Sequence, residues 1–116
     1  LVAAFLWVNE FPDYRADRSA GKRTLVVRLG RRRAARAYVA LVAAAYALTA
    51  ALPLLVAGTP RGVWGGLLAV VPSALAARRL LAAPEDTAAV IPAQGLTLVA
   101  FLVHAAGAAL GLRLVG

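Results

Sequence analysis

The sequence contains no cysteine, and only five of its 116 residues are acidic. Without cysteine the chain can form neither a disulfide nor a thiolate metal site. Cysteine usage therefore does not indicate whether the chain resides in an oxidising or a reducing compartment. The five acids face thirteen basic residues, which gives a net charge of +8. Such a balance would suggest nucleic acid as a partner if the basic residues were spread over a soluble surface. Whether the positive charge indicates a nucleic-acid partner therefore depends on where the basic residues lie along the chain.

Charge of either sign is also missing from three long segments of the chain. Apolar residues make up 62% of the sequence and charged residues only 16%. A single water-soluble domain of this length has too little interior to hide so much apolar surface, so lipid is the expected solvent. The sequence predicts an all-α, polytopic transmembrane helix bundle with complete spans near residues 37–57, 62–82 and 88–112.

The first residues, 1–8, are apolar but too few to span a bilayer. As a helix they would reach only about 12 Å, against a hydrocarbon core of about 30 Å. No basic segment precedes them, so a signal peptide is not indicated. We interpret 1–8 as the end of a truncated helix, followed by an aspartate-rich loop at 9–36 and three transmembrane helices within 37–116. Residues 1–116 would then form the C-terminal part of a single membrane-embedded domain.

Nine of the thirteen basic residues lie in the 9–36 loop. This clustering favours a membrane-flanking loop, so we expect membrane lipids and no nucleic acid as partners. By the positive-inside rule the loop is cytoplasmic, together with Arg78 and Arg79, and the 58–61 turn lies outside. The arginines that follow the loop's last glycine are expected to hold anionic lipid headgroups: Arg31, Arg32, Arg33 and Arg36.

The loop contains two aspartates, Asp13 and Asp17, four residues apart. On a helix they share one face and lie about 6 Å apart along the axis. Mg²⁺ accepts one or two carboxylates and completes its coordination with phosphate oxygens and water. Gly21 allows the chain to turn, and the following cations could neutralise a diphosphate, with help from Arg18. The plainer alternative is a solvated loop with weak surface ion pairs.

The pattern around these aspartates extends well beyond the pair. It reads Asn9-Glu10-x-x-Asp13-x-x-x-Asp17-x-x-x-Gly21-Lys22-Arg23-Thr24-Leu25-x-Val27-Arg28-Leu29-Gly30. This string resembles the second aspartate-rich motif of the UbiA-type membrane prenyltransferase superfamily. It is most similar to the branch that prenylates 1,4-dihydroxy-2-naphthoate in menaquinone biosynthesis.

The resemblance implies a Mg²⁺-dependent transfer of a polyprenyl group from a polyprenyl diphosphate to an aromatic acceptor such as 1,4-dihydroxy-2-naphthoate. Asp13 and Asp17 would be the catalytic metal ligands, Lys22 and Arg23 would lie near the diphosphate, and Asn9 would shape the pocket wall. The implied location is the bacterial inner membrane. The family's first aspartate-rich motif is absent from these residues, so we expect the chain by itself to be inactive.

Two other functions compete with this interpretation. Membrane phosphotransferases that act on CDP-alcohols also use aspartates at this spacing, but with a glycine before the pair, whereas Gly21 follows it here. A transporter or assembly subunit could use the basic loop only to anchor lipids. Loss of single arginines should weaken such anchoring gradually, whereas Mg²⁺ chemistry should collapse when either aspartate is lost.

The remaining candidates are weaker. His104 lies within the last span, where a polar residue can mark a function, but a hydrogen bond between helices is the better explanation.

Glu10 stands where many members of the similar family would have asparagine. Tyr38 and Tyr46 are expected to pack or lie at the interface, Trp64 to belong to the outer aromatic belt, and the acids at 85–86 to be solvated.

The predicted orientation can be tested because the natural sequence has no cysteine to interfere. Single cysteines introduced at positions 18–24 should react with a membrane-impermeant thiol reagent from the cytoplasmic side. Cysteines at 59–61 should react from the outside, since one complete span separates the two segments. The reverse labelling pattern would refute the orientation.

Overall fold

The computed structural model describes residues 1–116 and contains helices but no strands. The predicted all-α class is confirmed. The helical segments are α1 Val2–Asn9, α2 Tyr14–Ser19, α3 Leu25–Leu29, α4 Arg31–Leu55, a 3₁₀ helix Arg61–Ala69, α5 Val70–Ala82 and α6 Thr87–Leu114.

Three segments are long and apolar enough to cross a membrane: Arg31–Leu55, Arg61–Ala82 and Thr87–Leu114. Their outer faces carry large apolar side chains that no other part of the chain covers. Leu48, Leu54 and Leu55, for example, are 70%, 72% and 80% exposed. Contiguous apolar surface of this kind is unfavourable in water and favourable in a bilayer. The chain is therefore an integral membrane protein with three helices that are long and apolar enough to span the bilayer.

The first span begins at Arg31, earlier than the predicted Ala37. Gly30 adopts φ 77°, a left-handed conformation that glycine reaches without a steric penalty, and it ends α3 and starts α4. Because arginine is a good helix former, the basic residues at 31–33 and Arg36 occupy the first turns of α4 and are not part of an irregular loop. The rest of the predicted 9–36 loop holds two short helices, α2 and α3.

The second span, Arg61–Ala82, has 22 residues and starts as a 3₁₀ helix over Arg61–Ala69. A 3₁₀ helix rises about 2.0 Å per residue, against about 1.5 Å in an α-helix. The tighter winding therefore lengthens the segment by several Å. The helix ends at Ala82, which agrees with the predicted end of the second span.

Glycines bring the 3₁₀ helix into backbone contact with α6. A Cβ atom built on Gly65 would collide with the carbonyl oxygen of Gly107, and one on Gly62 with that of Gly111. On Gly66 it would meet the His104 ring at 2.9 Å. Small residues permit this approach in membranes, where van der Waals packing drives helix association. Gly107 and Gly111, four residues apart, form the α6 side of this contact.

Hydrogen bonds between side chains and neighbouring helices add to this packing. Tyr38 Oη lies 2.6 Å from Thr97 Oγ1, and Tyr46 Oη lies 2.6 Å from Ser73 Oγ. His104 Nδ1 is 3.0 Å from the Gly66 carbonyl oxygen, as expected for a residue that joins helices. The indole N–H of Trp64 donates to Ala50 of α4 at 3.0 Å, so this residue links two helices, beyond the belt role predicted for it.

The backbone contact predicts a difference between two glycines of α6. Gly107→Ala should lower the free energy of unfolding by about 1–3 kcal/mol, because the added methyl group has no room. Gly95→Ala is the matched control, since a Cβ there meets nothing within 4 Å and alanine is the better helix former. Thermal unfolding in detergent, followed by circular dichroism, measures both. Equal destabilisation by the two substitutions would contradict the packing described here.

Candidate functional site

The polar loop starts where α1 ends at Asn9. The chain turns through residues 10–13, and the turn is held by the Glu10 N–H donating to the Trp7 carbonyl at 3.1 Å. Phe11, which is only 2% exposed, is buried in the same apolar core as Val8 of α1 and Val26 of α3. The buried phenyl ring anchors the turn. The residues that follow it are thereby directed away from the core.

Asp13 and Asp17 lie on one helical turn, as predicted. Asp13 is the N-cap of α2, and the Asp17 N–H donates to the Asp13 carbonyl oxygen at 2.7 Å. An aspartate at an N-cap commonly accepts from the first-turn N–H groups. The Asp13 side chain accepts no such bond and lies exposed, without an ion-pair partner. Its carboxylate is therefore available to a ligand.

Asp17 is more enclosed, with 16% of its side chain exposed and Lys22 Nζ 4.0 Å from its carboxylate. Gly21 makes this contact possible. It adopts φ 75°, and the Lys22 N–H then donates to the Asp17 carbonyl oxygen at 2.8 Å. The predicted turn at Gly21 is confirmed, and it brings the chain's one lysine back to the second aspartate.

The other predicted site residues lie apart from this turn. Arg18 and Arg23 are exposed and form no ion pair with either aspartate. Asn9 accepts a hydrogen bond from Gln94 of α6 at 2.8 Å, so it joins α1 to the last helix. The structure therefore brings Asp13, Asp17 and Lys22 together, leaves the two arginines free, and gives Asn9 a packing partner.

Glu10 has a defined role in this loop. Its carboxylate accepts from the N–H of Val26 at 3.3 Å, while Thr24 Oγ1 accepts from Val27 at 3.3 Å. The two side chains satisfy N–H groups at the start of α3 that have no partner within the helix. The Glu10 side chain thus links the end of α1 to the start of α3, across the segment that contains the two aspartates.

Arg31 connects the aspartate-bearing helix to the loop between α5 and α6. Its guanidinium carbon lies 4.5 Å from the centre of the Tyr14 ring, and it donates to the Glu85 carbonyl oxygen at 3.1 Å. Arg32 Nε lies 3.4 Å from the Glu85 carboxylate. The expectation that Glu85 is merely solvated is therefore wrong, because two arginines expected to hold lipid headgroups bind it. Each contact is partly exposed and contributes little alone.

Sequence reasoning missed three residues that position the site: Tyr14, Glu85 and Gln94. Tyr14 lies between the aspartates and could have been suspected from that position. Gln94 is the one amide in the α6 sequence, and an amide in an apolar span signals a partner. Nothing in the sequence indicates that Glu85 would meet the start of α4, because that contact depends on how the spans pack.

The donor set suits a hard divalent cation. Two carboxylates separated by one helical turn, one of them unpaired, supply the oxygen ligands that Mg²⁺ takes from proteins. No third carboxylate or imidazole joins them into a larger cluster. An ion with only two protein ligands retains positions for phosphate oxygens and water, which is the usual arrangement of Mg²⁺ at a phosphorylated substrate.

A protein-family model described as the UbiA prenyltransferase family matches residues 1–93. The match runs from α1 through the loop and the first two complete spans into the start of α6. No curated protein and no solved structure matches the chain.

Proposed function

Because this chain belongs to the UbiA prenyltransferase family, a family of membrane prenyltransferases, we propose that it serves Mg²⁺-dependent transfer of a polyprenyl group to an aromatic acceptor. The donor would be a polyprenyl diphosphate. The single observation that carries the proposal is the turn that brings Asp13, Asp17 and Lys22 together at the polar end of three apolar spans. In this proposal the two aspartates supply oxygen ligands for Mg²⁺, and Lys22 supplies positive charge for the diphosphate. Both lie beside the lipid that would hold the prenyl chain.

We further propose that the acceptor is 1,4-dihydroxy-2-naphthoate, or a closely related electron-rich ring, and that the product enters menaquinone biosynthesis. The support is the loop pattern itself, from Asn9 through Gly30, which resembles the motif of that branch. In this proposal residues 1–116 are the C-terminal part of one prenyltransferase domain in a bacterial inner membrane. The aspartate loop faces the cytoplasm, where both diphosphate and Mg²⁺ are found.

In the proposed reaction the allylic C–O bond breaks, and diphosphate leaves with the electron pair. A carbon of the aromatic ring attacks the allylic carbon, and the ring then loses a proton. Asp13 and Asp17 would hold Mg²⁺, and the chemistry that the ion supplies when bound is neutralisation of charge on the leaving group. Lys22 and Arg23 would add positive charge near the diphosphate oxygens, with Arg18 in support.

Lys22 has two partners in this proposal. In the structure its ammonium group faces the Asp17 carboxylate at 4.0 Å, a distance at the limit of an ion pair. The lysine side chain is 71% exposed, so it can turn towards a diphosphate without losing a buried contact. The exposed guanidinium group of Arg23 follows it directly. The turn at Gly21 brings the Lys22 ammonium group back to Asp17, and in this proposal Arg23 adds its charge from the next position in the chain.

Asparagine substitutions test the proposed roles of the aspartates, because they remove the charge and keep the shape. In the complete enzyme that carries both aspartate-rich motifs, Asp13→Asn and Asp17→Asn should each lower kcat on the order of 10²-fold or more, as for loss of another electrostatic stabiliser. Protein abundance should barely change, since neither carboxylate is in the apolar core. Turnover is measured at matched protein levels across a Mg²⁺ titration.

Asp86→Asn is the matched control. Asp86 lies in the other loop at the same end of the bundle and caps α6 by accepting from Ala88 at 3.0 Å, a role that asparagine can fill equally well. Its turnover should stay near the wild-type value. Near-normal rates for both Asp13→Asn and Asp17→Asn at limiting Mg²⁺ would refute the metal assignment and leave a solvated loop.

A further inference from the structure

A groove between α4 and α5 is lined by charged residues at one end and mainly by apolar residues along the rest of its length. It consists of two clefts, of about 410 and 320 Å³, that meet at Leu81. The first is lined by Arg32, Arg36 and the segment from Leu81 to Asp86. The second extends along the bundle to Tyr46 and Val70. None of the residues in the aspartate turn lines either cleft.

The polar cleft is lined by two arginines and two acids, and a third arginine lines the adjoining cleft. Its two acids are already engaged, because Glu85 pairs with Arg32 and Asp86 caps the start of α6. Arg36 of α4 lines the polar cleft and Arg78 of α5 lines the adjoining apolar cleft. Both are exposed and have no carboxylate partner. Two free guanidinium groups on facing helices suit a phosphate, which accepts charge-assisted hydrogen bonds from both.

The apolar part of the groove has the depth of one membrane leaflet. On α4 its lining residues recur at helical spacing, from Arg36 through Val39, Val42 and Ala43 to Tyr46. The ten residue steps from Arg36 to Tyr46 correspond to about 15 Å of helix, half of the hydrocarbon core. The groove ends at Tyr46 and Val70, and near this end the hydroxyl groups of Tyr46 and Ser73 lie 2.6 Å apart. A single acyl chain that enters at the headgroup level would reach this end.

We propose that this groove binds one anionic phospholipid, with its headgroup phosphate between Arg36 and Arg78 and one acyl chain along the apolar cleft. The site is separate from the aspartate turn and does not depend on the function proposed for it. A monoanionic phosphate fits the two free cations, and the leaflet-deep cleft fits the chain attached to it.

Native mass spectrometry of the purified chain measures the binding directly, in neutral detergent doped with equal amounts of phosphatidylglycerol and phosphatidylcholine. The wild-type chain should retain one phosphatidylglycerol in preference to phosphatidylcholine. Arg36→Gln and Arg78→Gln should each reduce that preference about fivefold, as expected for loss of one arginine contact to an anionic headgroup. The paired control Arg61→Gln/Arg113→Gln removes two arginines at the opposite end of the bundle and should leave the preference unchanged.

Ala74→Trp tests the tail, because residue 74 lines the apolar cleft and is exposed there, so the larger side chain fills the groove without entering the core. It should displace the lipid while both arginines remain.

Equal losses in the Arg61/Arg113 control would show unspecific charge attraction and overturn the proposal. So would displacement of the lipid by inorganic phosphate or farnesyl diphosphate, or a dimer of the chain that Ala74→Trp abolishes. Those outcomes would assign the groove to a free anion, to the prenyl donor or to a second copy.

Discussion

The backbone contact between the 3₁₀ helix and α6 determines the position of almost everything else in this chain. It is possible only because Gly62, Gly65, Gly107 and Gly111 lack side chains where the two helices meet. In lipid there is no hydrophobic force to hold helices together, so close packing and hydrogen bonds must do so. With α6 fixed, Thr97 can bind Tyr38 of α4. The Gln94 amide of α6 likewise reaches α1 through Asn9, beside the polar loop.

In the polar loop, the residues that pack it against the helices are different from the residue proposed to bind the metal. Phe11 and Val26 are buried, Glu10 caps α3, and Arg31 joins Tyr14 to the α5–α6 loop. The burial of Phe11 and Val26 anchors the loop on either side of α2, while the exposed contacts of Arg31 contribute little individually. Asp13 takes part in none of them, and its carboxylate stays free at the water edge. The contacts around α2 thus leave the carboxylate proposed as a metal ligand exposed and without a hydrogen bond to the α2 N–H groups.

Hydropathy was enough to predict the three spans and the all-α class, because only helices with internally satisfied backbones fit a bilayer in a chain of this kind. The aspartate pair and the turn at Gly21 were predictable for a similar reason, since helical spacing and glycine's freedom are local properties. The pairing of Glu85 with Arg31 and Arg32 was not, because residues more than fifty positions apart meet only once the spans pack. The 3₁₀ winding of Arg61–Ala69 also follows from packing and leaves no signal in hydropathy.

The central claim is that the Asp13–Asp17 turn holds a divalent cation together with a diphosphate. Mn²⁺ prefers the same carboxylate, phosphate and water oxygens as Mg²⁺, and its electron paramagnetic resonance signal broadens when the ion binds protein. A titration of the purified chain with Mn²⁺ and inorganic pyrophosphate should show a bound ion in the wild type and in Asp86→Asn. The bound signal should be lost in Asp13→Asn/Asp17→Asn. Equal binding by the double variant and the wild type would contradict the account.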